Sequence, residues 1–155
     1  MNTNDSLISV LNDLIEINND RIAGYEKAIR ESQNDDVDLK GLFRNMANES
    51  QQYVLELSNL VTRLGGHPSD DTTAPGKVYR TWMDLKAVFT GSDRKALLNS
   101  CEYGEDAAQK AYQAALTSDT PIDTEGRQLI AEQQASLKKS HDVIKKYRDL
   151  QAAIA

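Results

Sequence analysis

Asn18-Asn19-Asp20-Arg21-Ile22-Ala23-Gly24-Tyr25 and Glu105-Asp106-Ala107-Ala108-Gln109-Lys110-Ala111-Tyr112 are two versions of one pattern. In each, a polar residue on the core face of a helix precedes a tyrosine by seven residues, which is two helical turns. A chain built from two related helical hairpins leaves such a trace, and a pseudo-symmetric bundle is the fold it points to. Chance likeness between two amphipathic helices is the competing explanation.

Outward from the first copy, Leu7, Leu11, Leu14, Ile15, Ile22, Tyr25 and Ile29 recur at three- and four-residue steps. They predict a helix from about Asp5 to Ser32, capped by Asn4 or Thr3. A polar turn, Gln33 to Asp36, then predicts an antiparallel return. The second helix covers Val37 to Leu64 on the stripe Leu39, Phe43, Met46, Ser50, Tyr53, Leu57, Leu60 and Leu64, and Gly65-Gly66 ends it. Around the second copy, Leu98, Cys101, Glu105, Ala108, Tyr112 and Ala115 mark a helix that Ser92 can cap and that runs to about Thr117. After Pro121, a last helix spans Thr124 to Ala152 on Ile130, Gln133, Leu137, His141 and Ile144.

The middle connection sets the topology. About 25 residues separate the second long helix from the third. His67 to Lys77 read as loop, and Val78 to Thr90 as a short helix with Val78, Trp82, Leu85 and Phe89 on one side. A helix of that size covers roughly 20 Å, and its flanking loops extend the reach to the length of a bundle. The expectation is one domain over residues 1–155, an all-α, ferritin-like four-helix bundle with a long crossover carrying an extra short helix. A short helix lying across one end of the bundle is the alternative.

Composition agrees with a helical, self-sufficient core. Only 6% of the 155 residues are aromatic and only 3 are proline, and a chain of this length buries enough surface to fold without a disulfide or metal. The net charge of −6 disfavours nucleic acid as a partner. A lone cysteine, Cys101, forms no intramolecular disulfide. The chain shows neither a basic-then-apolar leader nor an apolar run long enough for a membrane span. A cytoplasmic protein without a membrane partner is the expectation.

The repeated tyrosine spacing resembles the ferritin and rubrerythrin superfamily, in which a core glutamate stands seven residues before a tyrosine on helices 1 and 3. More narrowly, several stretches are similar to a bacterial family of ferritin-like four-helix-bundle proteins, domain of unknown function 2383. They are Leu14 to Arg21, Gly24-Tyr25-Glu26, Leu42-Phe43-Arg44, Arg63 to Gly66, Trp82 to Lys86 and Glu102 to Ala108. The resemblance covers nearly the whole chain and implies a fold but no activity.

The superfamily's di-iron site takes carboxylates from all four helices and a Glu-x-x-His pair from each of two. Asn18 stands at the first position here, and Ser50 with Tyr53, or Glu49 with Gln52 one frame earlier, on the second helix. Glu105 is kept on the third. The fourth offers Gln133 or Gln134, followed by Ser136 or Leu137, and no Glu-x-x-His pair occurs in the chain. The expectation is therefore no cofactor, no intact di-iron site and no enzymatic activity. Glu105 with His141 remains the pair able to hold a single ion.

Asn18, Ser50, Tyr53, Glu105, Gln133 and His141 would then be polar groups on an apolar core. A mutual hydrogen-bond network is expected, because each group buried without partners costs about 1–3 kcal/mol. Placement at the stripe's edge, in reach of water, is the alternative, and for His141 a bond to a neighbouring carboxylate is the ordinary arrangement. Val10, Leu14 and Ile17 widen the apolar surface of the first helix, which suggests a homodimer. The functional expectation is a non-catalytic binding or self-association protein. The alternative is a divergent metalloprotein that binds iron, manganese or zinc through a non-standard ligand set.

Overall fold

A computed structural model describes residues 3–32, 36–71 and 94–154. Four helices account for nearly all of them: α1 (Thr3–Glu31), α2 (Val37–Arg63), α3 (Arg94–Thr117) and α4 (Thr124–Ile154). The expected crossover helix over 78–90, with Trp82 and Phe89, and the Ser92 cap lie outside the described residues. Gly65 ends α2 with φ +88°, a left-handed conformation in which a side chain would be strained.

Pairings between helices fix their directions. Asn18 meets Tyr112 and Tyr25 meets Glu105, so α1 and α3 run antiparallel. Arg63 meets Glu125, Glu56 meets Gln133 and Glu49 meets Ser140, so α2 and α4 do too. At one end of the bundle, Gly66 lies against Ile8, near the start of α1. At the other, Arg94 at the start of α3 donates to Asp36 and Asp38 at the start of α2, and to Gln151 near the end of α4. The connection between α2 and α3 therefore joins opposite ends of the bundle. Its first residues already run along α1: Asn12 donates to the His67 carbonyl, Ser69 donates to Asn12 and Glu16, and Asn19 donates to the Asp71 carbonyl.

The core is divided. One apolar cluster contains Leu7, Leu11, Leu14, Ile15, Leu57, Leu60, Tyr112, Ile130 and Leu137. A second contains Tyr25, Leu39, Phe43, Leu97, Leu98, Cys101 and Ile144. Between them, fully buried, lie Asn18, Arg21, Ser50 and Glu105. Helix α1 packs on both α2 and α3, and α3 packs on α4, whereas the α2 and α4 backbones approach each other least and meet through side chains.

Arg94 acts as an end clasp. Its hydrogen bond holds the Asp38 carboxyl below the usual carboxylate range. A carboxylate whose folded pKa is depressed stabilises the fold above its unfolded pKa of about 3.9, and that contribution disappears as pH falls through the folded value. In urea titrations, Arg94→Ala should therefore be less stable than the parent at neutral pH, and the difference should shrink as pH drops below about 4.

Candidate functional site

The polar layer is built around a buried cation. Arg21 is 1% exposed, yet each of the five guanidinium N–H groups has an acceptor available. Nε donates to Glu105 Oε1 at 2.8 Å. Nη1 donates to Ser50 Oγ at 2.8 Å and to the Met46 carbonyl at 3.1 Å. Nη2 meets Glu49 Oε1 at 2.9 Å and the Met46 sulfur at 3.4 Å. The guanidinium carbon also stands 5.3 Å from the centre of the Tyr25 ring, within cation–π range.

From this cation a hydrogen-bond chain crosses the bundle. Ser50 donates to Asn18 Oδ1 at 2.8 Å, and Asn18 Nδ2 donates to the Tyr112 hydroxyl at 2.8 Å and to the Leu14 carbonyl. Tyr112 donates to Gln133 Oε1 at 2.6 Å, and Gln133 Nε2 donates to Glu56 at 3.0 Å. On the other side, Tyr25 donates to Glu105 Oε1 at 2.5 Å. Each tyrosine thus keeps its ring in one of the two apolar clusters and its hydroxyl in the polar layer. Glu49, a quarter exposed, also accepts from Ser140.

Burial and charge act in opposite directions here. Burial favours loss of the Arg21 proton, but the Glu105 and Glu49 carboxylates more than offset it and the guanidinium stays charged. Burial, reinforced by Glu105, pushes the Tyr25 phenol well above its usual range. Tyr112 is raised by burial against a smaller opposing effect of Asn18, and burial pushes Tyr53 up to about 12.

Asn18, Ser50, Glu105 and Gln133 all stand in this layer. Asn18 and Glu105 are linked through Ser50 and Arg21 rather than directly. Tyr53 lines its margin, where its backbone carbonyl faces Gln133 and its hydroxyl lies near Ser136 and Glu49. His141 stands apart at the α3–α4 edge, with Nε2 2.7 Å from Asp106 Oδ1 and Nδ1 3.1 Å from Asp142 Oδ1. The expected ion-holding pair of Glu105 and His141 is not assembled. Successive residues on a helix point about 100° apart, so Glu105 faces the Arg21 guanidinium while Asp106 beside it reaches the histidine. Leu14 and Ile17, expected to widen the outer surface of α1, are buried within the chain, which leaves Val10 half-buried at the groove they share with Ala107 and Ala111.

Reading the stripe missed Arg21 itself. It lies three residues after Asn18 and four before Tyr25, on the core face by spacing alone, but an arginine is normally assigned to solvent. An unopposed Glu105 on α3 was the available signal that a cation had to face it.

The stretch 6–118, covering nearly all of α1, all of α2 and all of α3, matches the family model described as Domain of unknown function (DUF2383). The chain belongs to this family. No curated protein matches the chain. Gln133 and His141, on α4, lie beyond the matched stretch.

The raised phenols set an alkaline limit on the fold. An unfolded tyrosine ionises near pH 10, whereas Tyr25 and Tyr112 stay neutral in the bundle, so their contribution is complete below about pH 10 and is lost as pH rises further. In an alkaline titration, two of the six tyrosines should become phenolate only as the helical circular dichroism collapses. Ionisation of all six with the helices intact would contradict this.

Proposed function

We propose that this protein is a non-catalytic four-helix bundle, one that acts by binding a partner protein, a second copy of itself or a small ligand, and not by chemistry in its core. The observation that carries this reading is the place of the Arg21 guanidinium. It lies between the Glu105 and Glu49 carboxylates, and each of its N–H groups has an acceptor. A divalent ion entering there would meet a fixed positive charge and compete for carboxylates already in use. The remaining layer groups, Asn18, Ser50, Tyr112 and Gln133, are neutral amides and hydroxyls, poor substitutes for the carboxylates and imidazoles that di-iron chemistry requires.

The reading includes a cytoplasmic location and no nucleic-acid partner, in keeping with the acidic charge. No described helix is long and apolar enough to cross a membrane. Core metal binding through a non-standard ligand set is the weaker reading, because the acidic ligand it would need, Glu105, is bonded to Arg21 and Tyr25.

Elemental analysis of protein purified without chelator tests the proposal, with the parent and Glu105→Ala compared after native-state dialysis. The expected result is that no iron or manganese content depends on Glu105. Stoichiometric iron or manganese in the parent, absent from Glu105→Ala that is still helical, would overturn it.

A further inference from the structure

Outside the core, the α3–α4 seam brings together donors that no part of the polar layer uses. Glu102 and Asp106 stand four residues apart on α3, and therefore on one face of it. His141 faces them from α4. One ligand atom from each lies within 4.8 Å of the other two, the only such trio of histidine, cysteine and acidic side chains among the described residues. A tetrahedral ion with bonds of about 2.1 Å holds its ligand atoms roughly 3.4 Å apart. Small rotations about side-chain bonds would bring the trio to that spacing, with no movement of either helix.

Two features distinguish this cluster from ordinary surface acids. One donor is an imidazole nitrogen, which favours zinc-like transition ions over calcium or magnesium. The orientation of that imidazole is also set from outside the trio. Asp142, the next residue on α4, takes Nδ1 at 3.1 Å and leaves Nε2 aimed at Asp106. A carboxylate on the far nitrogen is the outer-shell partner that metal-binding histidines commonly have, since it fixes both tautomer and ring direction. The histidine is only 17% exposed, so the ring is held against the seam and not swinging in solvent.

Arg148 supplies the opposing influence. It lies seven residues after His141 on α4 and donates to Glu102. An incoming cation must share Glu102 with this guanidinium or displace it. The site should consequently be moderate in affinity, and it should be strengthened when Arg148 is removed.

We propose that Glu102, Asp106 and His141 bind one divalent transition-metal ion of the zinc class, oriented by Asp142 and restrained by Arg148. Three protein ligands leave a fourth position for water. Since the ligands come from both helices of the hairpin, a bound ion fastens α3 to α4. The site is independent of Glu105 and of the polar layer, so it stands or falls separately from the reading of the core.

The test is isothermal titration of chelator-treated, full-length protein with ZnCl2, together with the visible spectrum after CoCl2 addition. One equivalent of each should bind, and the cobalt spectrum should show nitrogen and oxygen ligation. His141→Ala should weaken zinc binding about tenfold or more, and Asp142→Asn should weaken it about tenfold through lost orientation. Arg148→Ala should tighten it, whereas His67→Ala, on the other histidine, should leave it unchanged. All four positions are at least partly exposed, and helical circular dichroism of each variant confirms an intact bundle. Absence of saturable one-to-one binding would overturn the proposal, as would a His141→Ala variant that binds zinc as tightly as the parent. Loss of binding in His67→Ala would place the ion elsewhere and overturn it equally.

Discussion

The ion pair between Arg21 and Glu105, closed to solvent in the middle of the bundle, is the contact around which the rest of the structure is arranged. Removing a guanidinium and a carboxylate from water costs several kcal/mol for each ion, and Coulomb attraction offsets that only when the geometry is good and the remaining donors are satisfied. Here the Arg21 donors all have acceptors, drawn from α2 and α3. Sliding either helix past α1 by one turn, about 5.4 Å, would strand a buried charge. Leucine stripes tolerate several registers, but a fully coordinated arginine tolerates one.

That constraint explains the split core. A charged layer cannot be covered by leucine, so the two apolar clusters end where Tyr25 and Tyr112 turn their hydroxyls toward it. The amides of Asn18 and Gln133 extend the layer to α4 and to the half-exposed margin at Glu56. Helix α4 thereby joins the register even though its backbone comes close to that of α2 at few points. The same logic bears on chemistry. Glu105 and Glu49 already neutralise a permanent internal cation. The trio of Glu102, Asp106 and His141 lies instead at the seam between α3 and α4, with Arg148 on Glu102.

Much of the architecture was legible in the residues. The four helices followed from three- and four-residue spacing, and the crossover from the length of the connection between Leu64 and Ser92. The ends of the helices confirm its direction: Gly66 sits beside Ile8 and Arg94 beside Asp36. Asn18, Ser50, Glu105 and Gln133 could be placed on core faces because periodicity reports which way a side chain points. It does not report what meets that side chain. Arg21 and Glu105 are 84 residues apart, and nothing local to either names the other. His141 illustrates the converse: its spacing put it on the stripe, but a long polar side chain at a stripe's edge turns to the nearest carboxylates, here Asp106 and Asp142.

A double-mutant cycle on Arg21 and Glu105, followed by urea denaturation at neutral pH, tests the central claim most directly. Arg21→Met should destabilise the bundle by about 3–5 kcal/mol, since it leaves the Glu105 charge buried without a cation, and Glu105→Gln should cost less, since Arg21 keeps the Glu49 carboxylate. The double variant should lose much less than the sum, giving a coupling of at least about 2 kcal/mol. Additive losses, or single variants as stable as the parent, would show that the bundle does not depend on this pair.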